Sequence, residues 1–141
     1  MLDDALIFLY HYLIGNEIYL FFRCRPKDSE VDIIFRTRKL ARTFNSESEL
    51  QKAYNKPMAT KIMSRLAVLK NARTLADVPS TRPERCHPLR GDREGQFAVD
   101  LAHPRRLVFA PSHAPVPQKD DGGIDLDKVT SIIVIEVVDY H

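Results

Sequence analysis

The chain has 141 residues, 44% of them hydrophobic and 28% charged, with a formal net charge of +2. Such a composition is that of a soluble globular protein of one domain, with room for a real core. Its two cysteines, Cys24 and Cys86, are too few and too unpatterned for a disulfide framework, so the expected setting is reduced and cytoplasmic.

The small net charge conceals an asymmetry. Residues 31–106 carry 16 basic and 8 acidic side chains, whereas both flanking segments are acidic. A basic middle suggests a polyanionic partner such as nucleic acid. Lys52, Lys56, Lys61 and Lys70 read as the solvated surface of helices. The arginines after residue 81 differ, because they fall in loops and a hairpin.

Residues 1–30 stand apart. Ala5 to Phe22 is mostly apolar but contains His11, Asn16 and Glu17, which makes it too polar for a membrane span. It opens on Asp3 and Asp4, unlike a secretory signal. Three readings stay open: a helix or strand packed on the domain, a weak membrane-surface segment, or an upstream extension that the natural protein lacks, with Val31 as its first residue. The last is preferred, because domain-like patterning begins only at Val31.

Val31 to Phe35 is β-branched and apolar and reads as a strand. Arg36 to Asn45 is a basic amphipathic turn or short helix. Ser46 and Glu49 have capping-box spacing, so a helix starts or restarts there and runs to about Tyr54. Pro57 suits a first helical position, and the next helix extends to Asn71. Met58, Ile62, Leu66 and Leu69 fall on its apolar face, with Arg65 and Lys61 expected on the surface. Leu75 and Val78 can pack back from a short turn. Pro79, Pro83 and Pro88 keep Ser80 to Pro88 extended and non-helical.

Gly91 and Gly95 bracket a charged turn, a hairpin signal. Phe97, Val99 and Leu101 then alternate with Gln96, Ala98 and Asp100, the period of a strand with one face buried. Ala102-His103-Pro104 turns the chain into the strand Arg106 to Ala110. A long loop rich in proline, acid and glycine follows, and Val129 to Val138 closes the chain as an apolar strand. Two helices between a first strand and an antiparallel meander make a small α+β domain. Arg90, Arg93, Arg105 and Arg106 surround the hairpin beside a histidine, the set that phosphate binding with proton transfer would need.

Three pieces in order, His87-Pro88-Leu89-Arg90-Gly91-Asp92-Arg93-Glu94-Gly95, then Arg106-Leu107-Val108-Phe109, then Asp139-Tyr140-His141, resemble the HigB branch of the RelE/HigB toxins. These are ribosome-dependent messenger-RNA endonucleases of type II toxin–antitoxin pairs. The resemblance covers residues 31–141 and leaves 1–30 without a counterpart. It implies a RelE-like fold, a mostly antiparallel sheet of four to five strands packed against two N-terminal helices.

Cleaving RNA through its own 2′-hydroxyl needs a base at that oxygen, cations on the non-bridging oxygens and an acid at the 5′-oxygen. Histidine suits the proton transfers, arginine the phosphorane charge, and tyrosine can stack on a base. The resemblance implies His87, Asp139, Tyr140 and His141 as catalytic residues. His141 or Asp139 would be the base and His87 the acid or transition-state donor, a direction the residues do not fix. It implies Arg106 and Arg90 for phosphate binding, with Arg93 beside them. Arg90 stands where the family often has lysine, and arginine does not give up its proton. No metal or cofactor is implied. The implied partners are a cognate antitoxin, a small DNA-binding HigA-like protein, and the ribosomal decoding site with its message, with no membrane. Two rivals stay open: a ParE-like gyrase inhibitor on the same scaffold, and a non-catalytic toxin-fold binding module.

Overall fold

The computed structural model describes the backbone of residues 7–14 and 17–24, and residues 30–139 in full. The first two segments are strands, β1 (Ile7–Ile14) and β2 (Glu17–Cys24), paired antiparallel from Ile7 opposite Cys24 to Ile14 opposite Glu17. They form a sheet separate from that of the main domain.

The main domain is α+β. It runs β3 (Asp32–Phe35), α1 (Arg38–Phe44), α2 (Glu47–Ala53), α3 (Lys56–Asn71), β4 (His87–Pro88), β5 (Phe97–Asp100), β6 (Arg105–Pro111) and β7 (Ser131–Asp139). The five strands form one mixed sheet in the order β3-β7-β6-β5-β4. Only the β3–β7 pairing is parallel; β4, β5, β6 and β7 make an antiparallel meander. Parallel pairing needs a crossover, and here the whole helical segment and meander lie between the two strands. Among the described residues no helix is long and apolar enough to cross a membrane.

Among the described residues the α-helices number three where two were expected, because the turn or short helix of Arg36 to Asn45 is a helix in its own right. Each start has its own side-chain cap, which is why the chain breaks twice. Thr37 accepts from the Leu40 amide at 3.0 Å, Ser46 from the Glu49 amide at 3.3 Å, and Asn55 from the Met58 amide at 2.9 Å. Ser46 therefore caps as its spacing predicts.

The core lies between the helices and one face of the sheet. Phe44, Leu50, Ile62 and Leu69 meet Phe35, Val99, Leu107, Phe109 and Val134 there. Phe97 and Phe109 are register partners, and their rings stack at 6.1 Å. Burying each such side chain stabilises the fold by about 1.5–3 kcal/mol before entropy is counted.

Two expectations are corrected. Arg65 is not on the surface: it is 5% exposed. Its guanidinium donates to the main-chain carbonyls of Asp100 at 2.6 Å and Pro83 at 3.4 Å, which compensates the burial of its charge. The segment from Ser80 to Pro88 is non-helical but not extended throughout. The Arg85 amide donates to the Thr81 carbonyl at 2.8 Å, closing a tight turn, and Arg85 has φ +47°.

Candidate functional site

The meander sets which side chains share a face, because side chains alternate along a strand and register partners point the same way. Leu107, Phe109 and Val137 belong to the helix-side face. The opposite face carries a row across four strands: His87 opposite Ala98, Ala98 opposite Val108, Val108 opposite Glu136. The next row is Asp100 opposite Arg106, and Arg106 opposite Val138. A bulge where Val108 gives way to Phe109 adds one residue to β7, so that Val134 opposite Phe109 and Val137 opposite Leu107 both keep to the helix-side face. Ala98 and Val108 are fully buried, so the middle of this row is covered and only its polar members reach solvent.

Charges on this face are organised around two carboxylates. Arg85 grips Asp100 with a fork, Nε to Oδ2 at 2.8 Å and a terminal nitrogen to Oδ1 at 3.1 Å. The Arg106 Nε lies 3.5 Å from the same Oδ1. The hydrogen bond to Asp100 raises the Arg85 pKa above the ordinary guanidinium value, so Arg85 stays charged. Arg93, in the 3-10 turn Gly91–Arg93, donates to Glu136 on β7 and to the Gln96 side-chain oxygen at 2.9 Å. The sequence reading places Arg93 beside the phosphate-binding Arg90 and Arg106. The structure turns it inward across the sheet instead, because Gly91 (φ +66°) and Gly95 (φ +90°) fold the turn back over the strands.

His87 lies on edge strand β4, half-buried. Its Nδ1 is 2.7 Å from the Arg85 carbonyl oxygen. A carbonyl only accepts, so Nδ1 carries the hydrogen and Nε2 is the remaining acceptor of the neutral ring. Nε2 has no partner among the described residues. His87 and Arg106 are two strands and one two-residue step apart, about 12 Å between backbones. Ala98 and Val108, which lie between them, are fully buried, so the two side chains share the face without an open surface joining them.

The structure thus brings together His87, Arg93 and Arg106 of the sequence-predicted set. Arg90 is exposed at the start of the turn and makes no side-chain hydrogen bond or ion pair among the described residues. Asp139 is the register partner of Arg105, in phase with Leu107 and Val137, so the alternation assigns it to the helix-side face. Arg105 acts on the Tyr54 hydroxyl at that end of the sheet: burial raises the Tyr54 pKa, and the Arg105 charge opposes it. Tyr140 and His141 lie outside the described residues. Arg85, Asp100 and Glu136 join the site without having been singled out. The period of two places Asp100 on the face of Ala98, whereas Arg85 arrives from a turn at φ +47° and Glu136 through the β6–β7 register, neither of which a local pattern encodes.

Among the described residues no group of three or more metal-ligating side chains comes together. Comparison with protein-family models, with curated proteins and with solved structures returns no significant match.

Proposed function

We propose that the chain is the toxin of a type II toxin–antitoxin pair, a RelE/HigB-like endonuclease that cuts messenger RNA in the ribosomal decoding site. The observation that carries this reading is the shared face of His87 and Arg106, an imidazole and a guanidinium on one side of the sheet. In the reaction the 2′-oxygen loses its proton to a base and bonds to phosphorus. The bond to the 5′-oxygen breaks, that oxygen takes a proton, and the products are a 2′,3′-cyclic phosphate and a 5′-hydroxyl. His87 supports a proton transfer through Nε2, and Arg106 supports charge stabilisation on the non-bridging oxygens. Arg90 adds an exposed cation for the backbone on either side. The partners proposed are the ribosome with its message and a HigA-like antitoxin.

One observation favours a second reading, a non-catalytic binding module. Arg85, Arg93 and Arg106 are all ion-paired within the chain, which lowers the positive field the face presents. A reconstituted translation reaction with mapped RNA ends separates the two. Ribosome-dependent cuts within codons, lost in His87→Ala and in Arg106→Ala, support the nuclease. An uncut message with translation unaffected overturns it, and a supercoiling assay then tests gyrase inhibition.

A further inference from the structure

We propose that Arg85 and Asp100 are positioning residues that fix His87 as the Nδ1–H tautomer, which makes Nε2 its working nitrogen. The catalytic use of that nitrogen rests on the nuclease reading; the positioning itself does not.

Geometry carries the inference. Arg85 is a non-glycine residue at φ +47°, a region that costs an L-residue about 1 kcal/mol. Such a conformation persists only where its surroundings hold it. Here they do so on every side. The Arg85 amide donates to Thr81, the Cys86 amide to Pro79 at 2.9 Å, and the side chain is locked by its fork on Asp100. The outcome is that the Arg85 carbonyl faces back onto the ring of His87 two residues later, at 2.7 Å.

Asp100 is the anchor because all its polar groups are engaged. Its amide donates to the Glu84 carbonyl at 2.8 Å, its carbonyl accepts from Arg65, and its carboxylate takes Arg85 and Arg106. It cannot turn away without breaking several of these bonds. A ring held through Nδ1 has one orientation and one free nitrogen, and this selects the tautomer as well as the pose. Nε2 then takes a proton when the ring is neutral and gives one when it is charged. Either direction of transfer passes through the same atom.

The test uses the full chain labelled with nitrogen-15 and a long-range proton–nitrogen correlation spectrum, recorded above about pH 8, where an ordinary histidine is neutral. His87 is expected with a protonated Nδ1 and a bare Nε2. In Asp100→Asn, and independently in Arg85→Lys, which keeps the charge but not the fork, His87 is expected to mix tautomers. Dispersed amide signals check that each variant is folded. Message cleavage by both variants is expected to fall about 10- to 100-fold, in kcat more than in KM. A wild-type His87 protonated at Nε2, or an unchanged tautomer in both folded variants, overturns the proposal. A tautomer that shifts as expected in a protein that never cuts RNA upholds the positioning and overturns the nuclease reading alone.

Discussion

Arg65, on α3, donates to the carbonyl oxygen of Asp100, the residue whose carboxylate holds Arg85 on the opposite face of the sheet. One residue of β5 therefore joins the helical layer to the candidate site. Replacing Arg65 with methionine keeps much of the apolar stem but leaves the carbonyls of Asp100 and Pro83 without their donor. The expected loss is about 2–3 kcal/mol, seen as a fall in Tm of about 5–10 °C by circular dichroism. Arg65→Lys is expected to recover part of it, since one ammonium cannot reproduce the reach of the guanidinium to both carbonyls. An unchanged Tm in Arg65→Met would mean that this arginine does not carry the load its burial implies.

The spacing of Arg65 shows how far the sequence could be read. Met58, Ile62 and Leu69 are all buried, as their period predicts. Arg65 occupies the next position of that stripe, i+3 from Ile62 and four before Leu69, yet its charge suggested the surface. Position outweighed residue type here, because two carbonyls were waiting for a donor. The strands were legible from β-branched runs, and the turn at Gly91 and Gly95 from its glycines. Partner choice was not. That Arg93 meets Glu136, 43 residues away, depends on the order β4-β5-β6-β7, which no local pattern encodes. The grouping of His87 with Arg106 was anticipated by residue chemistry. The assignment of Asp139 to the other face follows from a β6–β7 register that the sequence does not specify.

The Arg93–Glu136 pair spans the site, and its two side chains are 31% and 44% exposed. A pair this open contributes little to stability, at most about 1 kcal/mol. Its effect is on the field above the sheet. Glu136→Gln removes one negative charge from this face, so binding to a non-cleavable single-stranded RNA is expected to become more salt-sensitive. The slope of log affinity against log salt should steepen by about 0.7. Arg90→Ala, which removes an exposed cation that makes no side-chain ion pair, is expected to flatten the slope by a similar amount. Equal slopes in all three proteins, measured by fluorescence anisotropy, would remove RNA phosphate from the ligands of this face.

The turn that carries Arg93 inward depends on backbone conformations suited to glycine. A Cβ at Gly91 or Gly95 would meet no atom within 4 Å, so any penalty is conformational and not steric. Gly91→Ala and Gly95→Ala are each expected to destabilise the fold by about 1 kcal/mol in urea titration. A fully neutral Gly95→Ala would show that the turn has an alternative path.

Cys86 precedes His87 directly, and a reactive thiol there would offer a second nucleophile to the site. Burial instead pushes its pKa up to about 12, so the folded chain holds it as the inert thiol at neutral pH. Iodoacetamide at pH 8.5 is expected to leave Cys86 unmodified in the folded protein and to alkylate it in denaturant, with peptide mass mapping to distinguish it from Cys24. The same shift has a consequence for stability. An ordinary unfolded thiol loses its proton near pH 8.5, while the folded one keeps it to about 12. Between these values the native state binds more protons than the unfolded state, so stability falls as pH rises through that window. Below it both states are protonated and the group has no effect. Cys86→Ala is therefore expected to lose less stability than the wild type between pH 9 and pH 11, compared by urea titration at each pH. Because Tyr54 titrates in the same direction in both proteins, the difference between them isolates the thiol. Parallel pH profiles, or alkylation of folded Cys86 at pH 8.5, would instead identify an accessible thiolate beside His87.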